Sequence, residues 1–328
     1  MQTSNDSEHH NLLYKVAHAY YEDELTQEQI GQRFGLSRIK ISRLLSQARQ
    51  EDIVQITLVP PSSGHVELEH AIERRYGLDE VLIACPENDS AEALLNALGT
   101  TAANCLMRTL RGEEVVAFTW GNTLLAMVDA LQSPTGAPIR DWPNMRVVQS
   151  LGGLGSPEAD VYSAGLVHRL SRTFGAKALI LAAPGIVSSP AVREALLQDP
   201  QISNTLNLAA RADIALMGIG RPTLDSVVMQ SNILPADEFT HLKNMGAIGD
   251  IGLRFFDTEG RPVAHEINDR IIGLSLDQIK AIPRVIGVAG GDEKFEVIRA
   301  VLRGKLIKVL ITDDSTARRL LNEPFSES

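Results

Sequence analysis

Seven apolar runs, each long enough for a strand and too short for a membrane helix, recur along this chain from residue 80 onward. They read EVLIA (80–84), EVVAFTW (114–120), MRVVQSL (145–151), KALILAA (177–183), IALMGIG (214–220), RVIGVAG (284–290) and LIKVLITD (306–313). Strands this continuously apolar are buried on both faces, and the helical stretches between them supply the cover. The pattern predicts an open, mostly parallel α/β sheet. Ligands of such sheets gather at the carboxyl ends of strands, where glycine turns and helix N-termini bring backbone N–H groups to an anion. Four runs end in that form. EVVAFTW leads into Gly121, Asn122 and Thr123, and MRVVQSL into Gly152, Gly153 and Gly155; IALMGIG ends on Gly218 and Gly220, and RVIGVAG on Gly290 and Gly291, with Lys294 shortly after. A single glycine turn means little, because glycine ends strands for geometric reasons alone. Four in one sheet are a better signal, and Lys294 adds a point charge where a phosphate would sit.

Ahead of the sheet stands a segment of different grammar. LLYKVAHAYY (12–21) places Leu12, Leu13, Val16, Ala17 and Tyr20 on one helical face. Thr26 with Gln29 is a capping box, and Leu25 can staple to Ile30, so a second helix begins near Gln27. Gly35 stops it after two turns, and Ser37 caps a third helix running through Arg49. Two short helices joined by a tight turn form a helix-turn-helix. Ile30, Phe34, Leu36, Ile41 and Leu44 face inward, and Gly31 lies where the third helix passes close by. The outward positions are Ser37, Arg38, Ile39, Lys40, Ser42, Arg43, Ser46 and Gln47. Arginine pairs with guanine, serine and glutamine reach base edges or phosphate, and isoleucine suits a thymine methyl. Gln27, Ser37, Arg38, Lys40, Ser42 and Arg43 are the candidate DNA contacts. IVQITLV (53–59) reads as a strand, and Pro60 to Gly64 as a linker, which divides the chain into a helix-turn-helix domain at 1–59 and a second domain at 60–328.

Charge sharpens that reading. The chain has a formal net charge of -10, yet five cations and no acid lie between Arg33 and Arg49. An acidic whole opposes non-specific coating of nucleic acid, while positive charge on one helix lets that helix alone approach phosphates. Cys85 and Cys105 lack paired spacing and lie in or beside apolar stretches, which suggests buried thiols of a reducing compartment. The polar N-terminus and the absence of any apolar run near membrane length point to a cytoplasmic protein without membrane contact. The eight histidines show no HxxxH or HExxH spacing, and neither a dinucleotide fingerprint nor a GxxxxGK[ST] loop is present. No metal or cofactor is expected.

The ordered set AYYEDELTQEQIGQRFGLSRIKISRLLSQARQEDIVQI, TWGNT, LGGLG, GAIGDIGLRFFD and GVAGGDEK resembles the SorC family of bacterial sugar-responsive transcriptional regulators along nearly the whole chain. The resemblance implies a phosphosugar isomerase-like effector domain, a homodimer or homotetramer, operator DNA as partner and a phosphorylated sugar or polyol as effector. It places that effector at Gly121, Asn122 and Thr123, at Gly152 and Gly153, at Asp250, and at Gly290, Gly291 and Lys294. The residues themselves agree: glycine amides close on phosphate oxygens, Lys294 neutralises charge, and Asp250 accepts from sugar hydroxyls or caps a turn. Phe255 and Phe256 are adjacent in a strand-like stretch, so at most one lines a pocket. The alternative is a sugar-phosphate isomerase or deaminase bearing an appended helix-turn-helix. Such an enzyme needs a poised general base, and a cradle with one acid favours a non-enzymatic regulator, most simply a repressor of a carbohydrate or polyol operon.

Overall fold

The computed structural model describes residues 2–57, 64–132, 139–154, 157–221, 223 and 233–323, with backbone alone at 2–7 and 157–162. It contains two compact units, Met1–Ser62 and Ser63–Ser328. The first is a trio of helices, α1 (Gln2–Tyr21), α2 (Gln27–Phe34) and α3 (Arg38–Gln50). The Thr26–Gln29 capping box forms, Gly35 ends α2 in the left-handed region at φ 68°, and Ser37 caps α3. Leu13, Val16, Ala17, Ile30, Ile41, Leu44, Leu45 and Ala48 make the core, while Tyr20, expected inside, is exposed. A Cβ on Gly31 would come 2.6 Å from the Leu36 carbonyl oxygen, so the bare Cα is what lets the turn fold back against α2.

The strand expected at 53–59 does not form over residues 53–57, and 58–59 lie outside the described residues. Asp52 turns the chain at φ 56°, the Val54 amide donates to Ala48 O at 3.1 Å, and Ile53 and Val54 pack half-buried on the helical core. Their apolarity plugs the end of α3 instead of feeding a sheet. Of the expected linker, residues 60–63 also lie outside the described residues.

The second unit is a nine-stranded sheet whose main path runs β1 (Glu80–Ala84), β9 (Val309–Asp313), β8 (Arg284–Val288), β5 (Ile214–Gly220), β2 (Val115–Phe118), β3 (Arg146–Gln149), β4 (Lys177–Leu179), parallel throughout. All seven apolar runs are strands of this path. Period-two alternation sends Val116, Phe118, Ile214 and Leu216 into one core, and Val115, Ala117, Ala215 and Met217 into the other. The first core packs under α5 (Ala91–Thr109), α6 (Asn122–Ala130) and α7 (Pro157–Thr173), and the second under α4 (Val66–Tyr76) and two later helices, α12 (Phe295–Arg303) and α13 (Asp314–Asn322). Between α7 and α12 lie α8 (Pro190–Leu197), α9 (Pro200–Ala209), α10 (Ala236–Asn244) and α11 (Leu276–Ala281).

An antiparallel hairpin escaped sequence reading. β6 (Gly249–Ile251) pairs with the end of β5 and with β7 (Arg254–Phe256), joined through Gly252 and Leu253 at φ 58° and 61°. Two left-handed central residues make a tight hairpin turn matched to strand twist. Phe255 and Phe256 are both buried, one in each core, so neither is left for a pocket. Arg254 is buried too and donates to Leu274 O, Asn268 O and Gly273 O at 2.9, 3.0 and 3.1 Å, anchoring the hairpin to the 268–274 segment.

Candidate functional site

On α3, Arg38, Ile39, Lys40, Ser42 and Arg43 are exposed, and Ile41, Leu44, Leu45 and Ala48 are buried. Arg33 is held by Asp23 at 3.1 Å, whereas Arg38, Lys40 and Arg43 form no ion pair among the described residues. Ile39 stands 68% exposed beside these cations. Ser37 is exposed, but its Oγ accepts from the Lys40 amide at 3.3 Å, leaving the hydroxyl proton as its outward donor. Gln27 is half-buried at the start of α2; Ser46 and Gln47 are half-buried, and Gln47 is engaged with Glu51 at 2.8 Å. Unneutralised cations with one free apolar group on a rigid helix suit a phosphate-lined groove.

In the second unit the strand order reverses between β2 and β5. A cleft of about 240 Å³ opens there, at the carboxyl ends of both strands. Its floor and walls include Trp120, Gly121, Asn122, Thr123, Gly220, Arg221, Asp250 and Lys294. Gly121 precedes α6 at φ 146°, and no side chain caps that helix. The first amides of α6 are therefore orphan donors with the positive end of the helix dipole behind them. Trp120 is fixed alongside by its indole N–H, which donates to Gly152 O at 3.3 Å.

Asp250 faces the cleft from β6, in register with Gly220 of β5. A Cβ at Gly220 would overlap Asp250 Oδ1, so the glycine makes room for the carboxylate. Oδ2 accepts from the Leu253 amide at 3.1 Å and holds the hairpin turn, so Asp250 caps that turn while also lining the cleft. Burial raises its pKa to about 6, against the pull of the Leu253 N–H and of Lys294. Lys294 stands in a 3-10 turn before α12, and Nζ donates to Ile219 O at 3.1 Å, leaving two further donors. Burial lowers its pKa, and Asp250 opposes that shift.

The expected cradle is only partly assembled. Gly121, Asn122, Thr123, Asp250 and Lys294 meet in the cleft, but Gly152, Gly153, Gly290 and Gly291 do not line it. The Gly152 and Gly153 amides donate to Ile272 O and Ala183 O, both at 2.9 Å, which spends them on bridging the sheet to a neighbouring loop. Gly291 donates to Asp313 Oδ2 at 2.6 Å, and a Cβ at Gly290 would meet the same oxygen at 2.6 Å. An internal carboxylate thus fills the anion position at that turn. Gly155 lies outside the described residues. Sequence reading missed Arg221 and Trp120; Arg221 lines the cleft mouth with Nη1 donating to the Glu293 carboxylate at 3.0 Å. The signal was present as a cation directly after the glycine end of IALMGIG.

Residues 61–322 match the family described as "Putative sugar-binding domain", and residues 15–51 match sigma-70, region 4. Transcriptional regulator LsrR of Klebsiella pneumoniae subsp. pneumoniae is 33% identical over 313 residues, spanning 94% of this chain and 92% of that protein. The deoxyribonucleoside regulator of Bacillus subtilis is 29% identical over 318 residues, 97% of this chain and 99% of the relative. The crystal structure of the full-length sorbitol operon regulator SorC from Klebsiella pneumoniae superposes with a TM-score of 0.73 at 26% identity, covering 95% of this chain and 98% of that one.

Proposed function

This chain belongs to the SorC family of sugar-binding transcriptional regulators, and on that footing we propose how its two units divide the task. It is a DNA-binding regulator that responds to a sugar. In our reading α3 enters the major groove, with Arg38, Lys40, Ser42 and Arg43 toward bases and phosphates and Gln27 and Ser37 at the backbone. The effector is a phosphorylated sugar or polyol bound at the carboxyl ends of β2 and β5. One observation supports this more than any other: the uncapped N-terminus of α6 shares a cleft with Lys294 and Asp250. Phosphate would take the orphan amides of Gly121, Asn122 and Thr123, Lys294 and Arg221 would balance its charge, and Asp250 would accept from a hydroxyl. The cradle is then a helix terminus and two cations, without Gly152, Gly153, Gly290 or Gly291 as amide donors.

We read the protein as non-enzymatic, cytoplasmic and a repressor of its operon. Titration of the full chain with sugar phosphates and with their free sugars tests the assignment. At about 100 times Kd a phosphorylated ligand stabilises the fold by roughly 2.7 kcal/mol, which a melting curve resolves. Free sugars stabilising as well as their phosphates would refute the anion site, and turnover of the ligand would refute the regulator reading.

A further inference from the structure

Outside the sugar cleft, three side chains with complementary chemistry converge at the β1 edge of the sheet, beyond the carboxyl ends of β1 and β9. β1 and β9 are parallel neighbours with Ala84 in register with Asp313, so the next residues along, Cys85 and Asp314, leave the sheet side by side. His65, the residue before α4, reaches both. Its Nδ1 lies 3.7 Å from Cys85 Sγ, and its Nε2 lies 3.1 Å from Asp314 Oδ1. Sγ also lies 4.0 Å from Ile83 O, and the second oxygen of Asp314 accepts from Arg318 Nε at 2.8 Å. Cys85, expected to be buried, is exposed, whereas Cys105 is buried in α5.

The arrangement is a chain: sulfur, ring, carboxylate. A metal would draw the three donors to one point, but here the two ring nitrogens face different partners. Asp314 Oδ1 accepts no hydrogen bond among the described residues, but its charge 3.1 Å from Nε2 favours the ring proton on that nitrogen and leaves Nδ1, 3.7 Å from Sγ, bare toward the thiol. A thiol beside an oriented base is an activated nucleophile. The thiol opens on a surface cleft of about 610 Å³ that also bears Glu87 and Glu92 and is lined by no cation among the described residues. Two acids without a cation repel anionic reagents and admit neutral ones.

We propose that Cys85 is a modification site for small uncharged hydroperoxides, with His65 accepting the thiol proton and Asp314 as the positioning residue that orients the ring. Sγ attacks the terminal oxygen of ROOH, an S–O bond forms as the O–O bond breaks, and the electron pair leaves on RO. The proton passes through His65 Nδ1 to RO, releasing ROH and leaving Cys85 as a sulfenic acid. Sulfur is oxidised by two electrons and the peroxide is reduced by two.

The full chain is treated with hydrogen peroxide in the presence of dimedone, and peptide mass spectrometry follows Cys85 and Cys105 separately. Cys85 reacts at least about a hundredfold faster in the wild type than in His65→Ala, the lower end of general-base contributions, and added imidazole restores the rate of that variant. Asp314→Ala slows Cys85, Asp314→Glu recovers it, and Arg318→Ala leaves it unchanged. Iodoacetamide is favoured over iodoacetate by more than their ratio toward free cysteine. Equal rates in wild type and His65→Ala, loss of rate in Arg318→Ala equal to that in Asp314→Ala, or no preference for the neutral reagent would overturn the proposal.

Discussion

Two side chains, Lys294 and Asp250, set the character of the cleft proposed to take the sugar, and each makes a measurable claim. If the proposed phosphate binds there, Lys294→Ala removes one charge-assisted hydrogen bond to it. Effector affinity should fall by about 1.5 to 3 kcal/mol in calorimetry while operator affinity without effector stays unchanged. A variant that binds the phosphorylated ligand as tightly as wild type would place the anion elsewhere. Asp250 titrates at about 6 in the fold, against about 3.9 in an unfolded chain. Between those values the folded state holds the extra proton. The group's contribution therefore falls as pH rises from about 4 to about 6 and is constant above. Asp250→Asn keeps an acceptor for the Leu253 N–H and removes the titration. Urea unfolding at about pH 4.5 and about pH 6.5 should show the variant gaining on wild type at the higher pH, with sugar affinity reduced. A parallel pH response in both proteins would mean the carboxyl titrates normally. A carboxylate retained at a cost to stability is typical of a group kept for binding.

α3 is the element on which DNA recognition depends in the proposed reading, and it is held by local devices: the Ser37 cap, the left-handed Gly35 and the bare Gly31 against Leu36 O. Those devices matter because a helix of 13 residues is marginal alone. Arg38→Ala and Arg43→Ala leave them intact, so any loss reports on contact with DNA and not on folding. Each should cost roughly 1 to 3 kcal/mol in a gel-shift titration against the operator, and a phosphate contact should also reduce the salt slope by about 1. Two variants that fold and bind like wild type would move recognition off this helix. The hairpin β6–β7 is the second element of the proposed site, since it sets Asp250 beside Gly220 of β5. Arg254 secures it from below with three carbonyl bonds, and burial together with Arg193 brings that guanidinium down to about 10.

Assembly and coupling belong to the molecule entire. One helix-turn-helix covers too little groove for useful specificity, and two-fold proteins normally read palindromic half-sites, so we infer a dimer or tetramer. Light scattering of the full chain at micromolar concentration should give at least twice the 35.7 kDa of the monomer; a monomer with full operator affinity would exclude the idea. Linkage constrains the two ligands whatever the geometry. If effector weakens DNA binding by some factor, operator DNA must weaken effector binding by the same factor. Among the described residues no helix is long and apolar enough to cross a membrane.

Apolar periodicity was enough to read the parallel sheet, because strands buried on both faces must be apolar along their whole length. The helix-turn-helix was equally legible, since Thr26, Gln29, Gly35 and Ser37 act on amides three or four residues away. Gly121, Asn122, Thr123, Asp250 and Lys294, read along the chain as candidates for an anion site, line one cleft. Tertiary structure decided what those patterns leave open. Whether the amides of Gly152, Gly153 and Gly291 face a ligand depends on Ala183, Ile272 and Asp313, residues 22 or more positions distant. Strand order alone put β5 beside β2 and so brought Arg221 to the cleft, and it put β9 beside β1 and so brought Asp314 to Cys85 through His65. Local chemistry can be read along a chain because its partners are near in sequence; a hydrogen bond between strands cannot, because its partner is chosen by the fold.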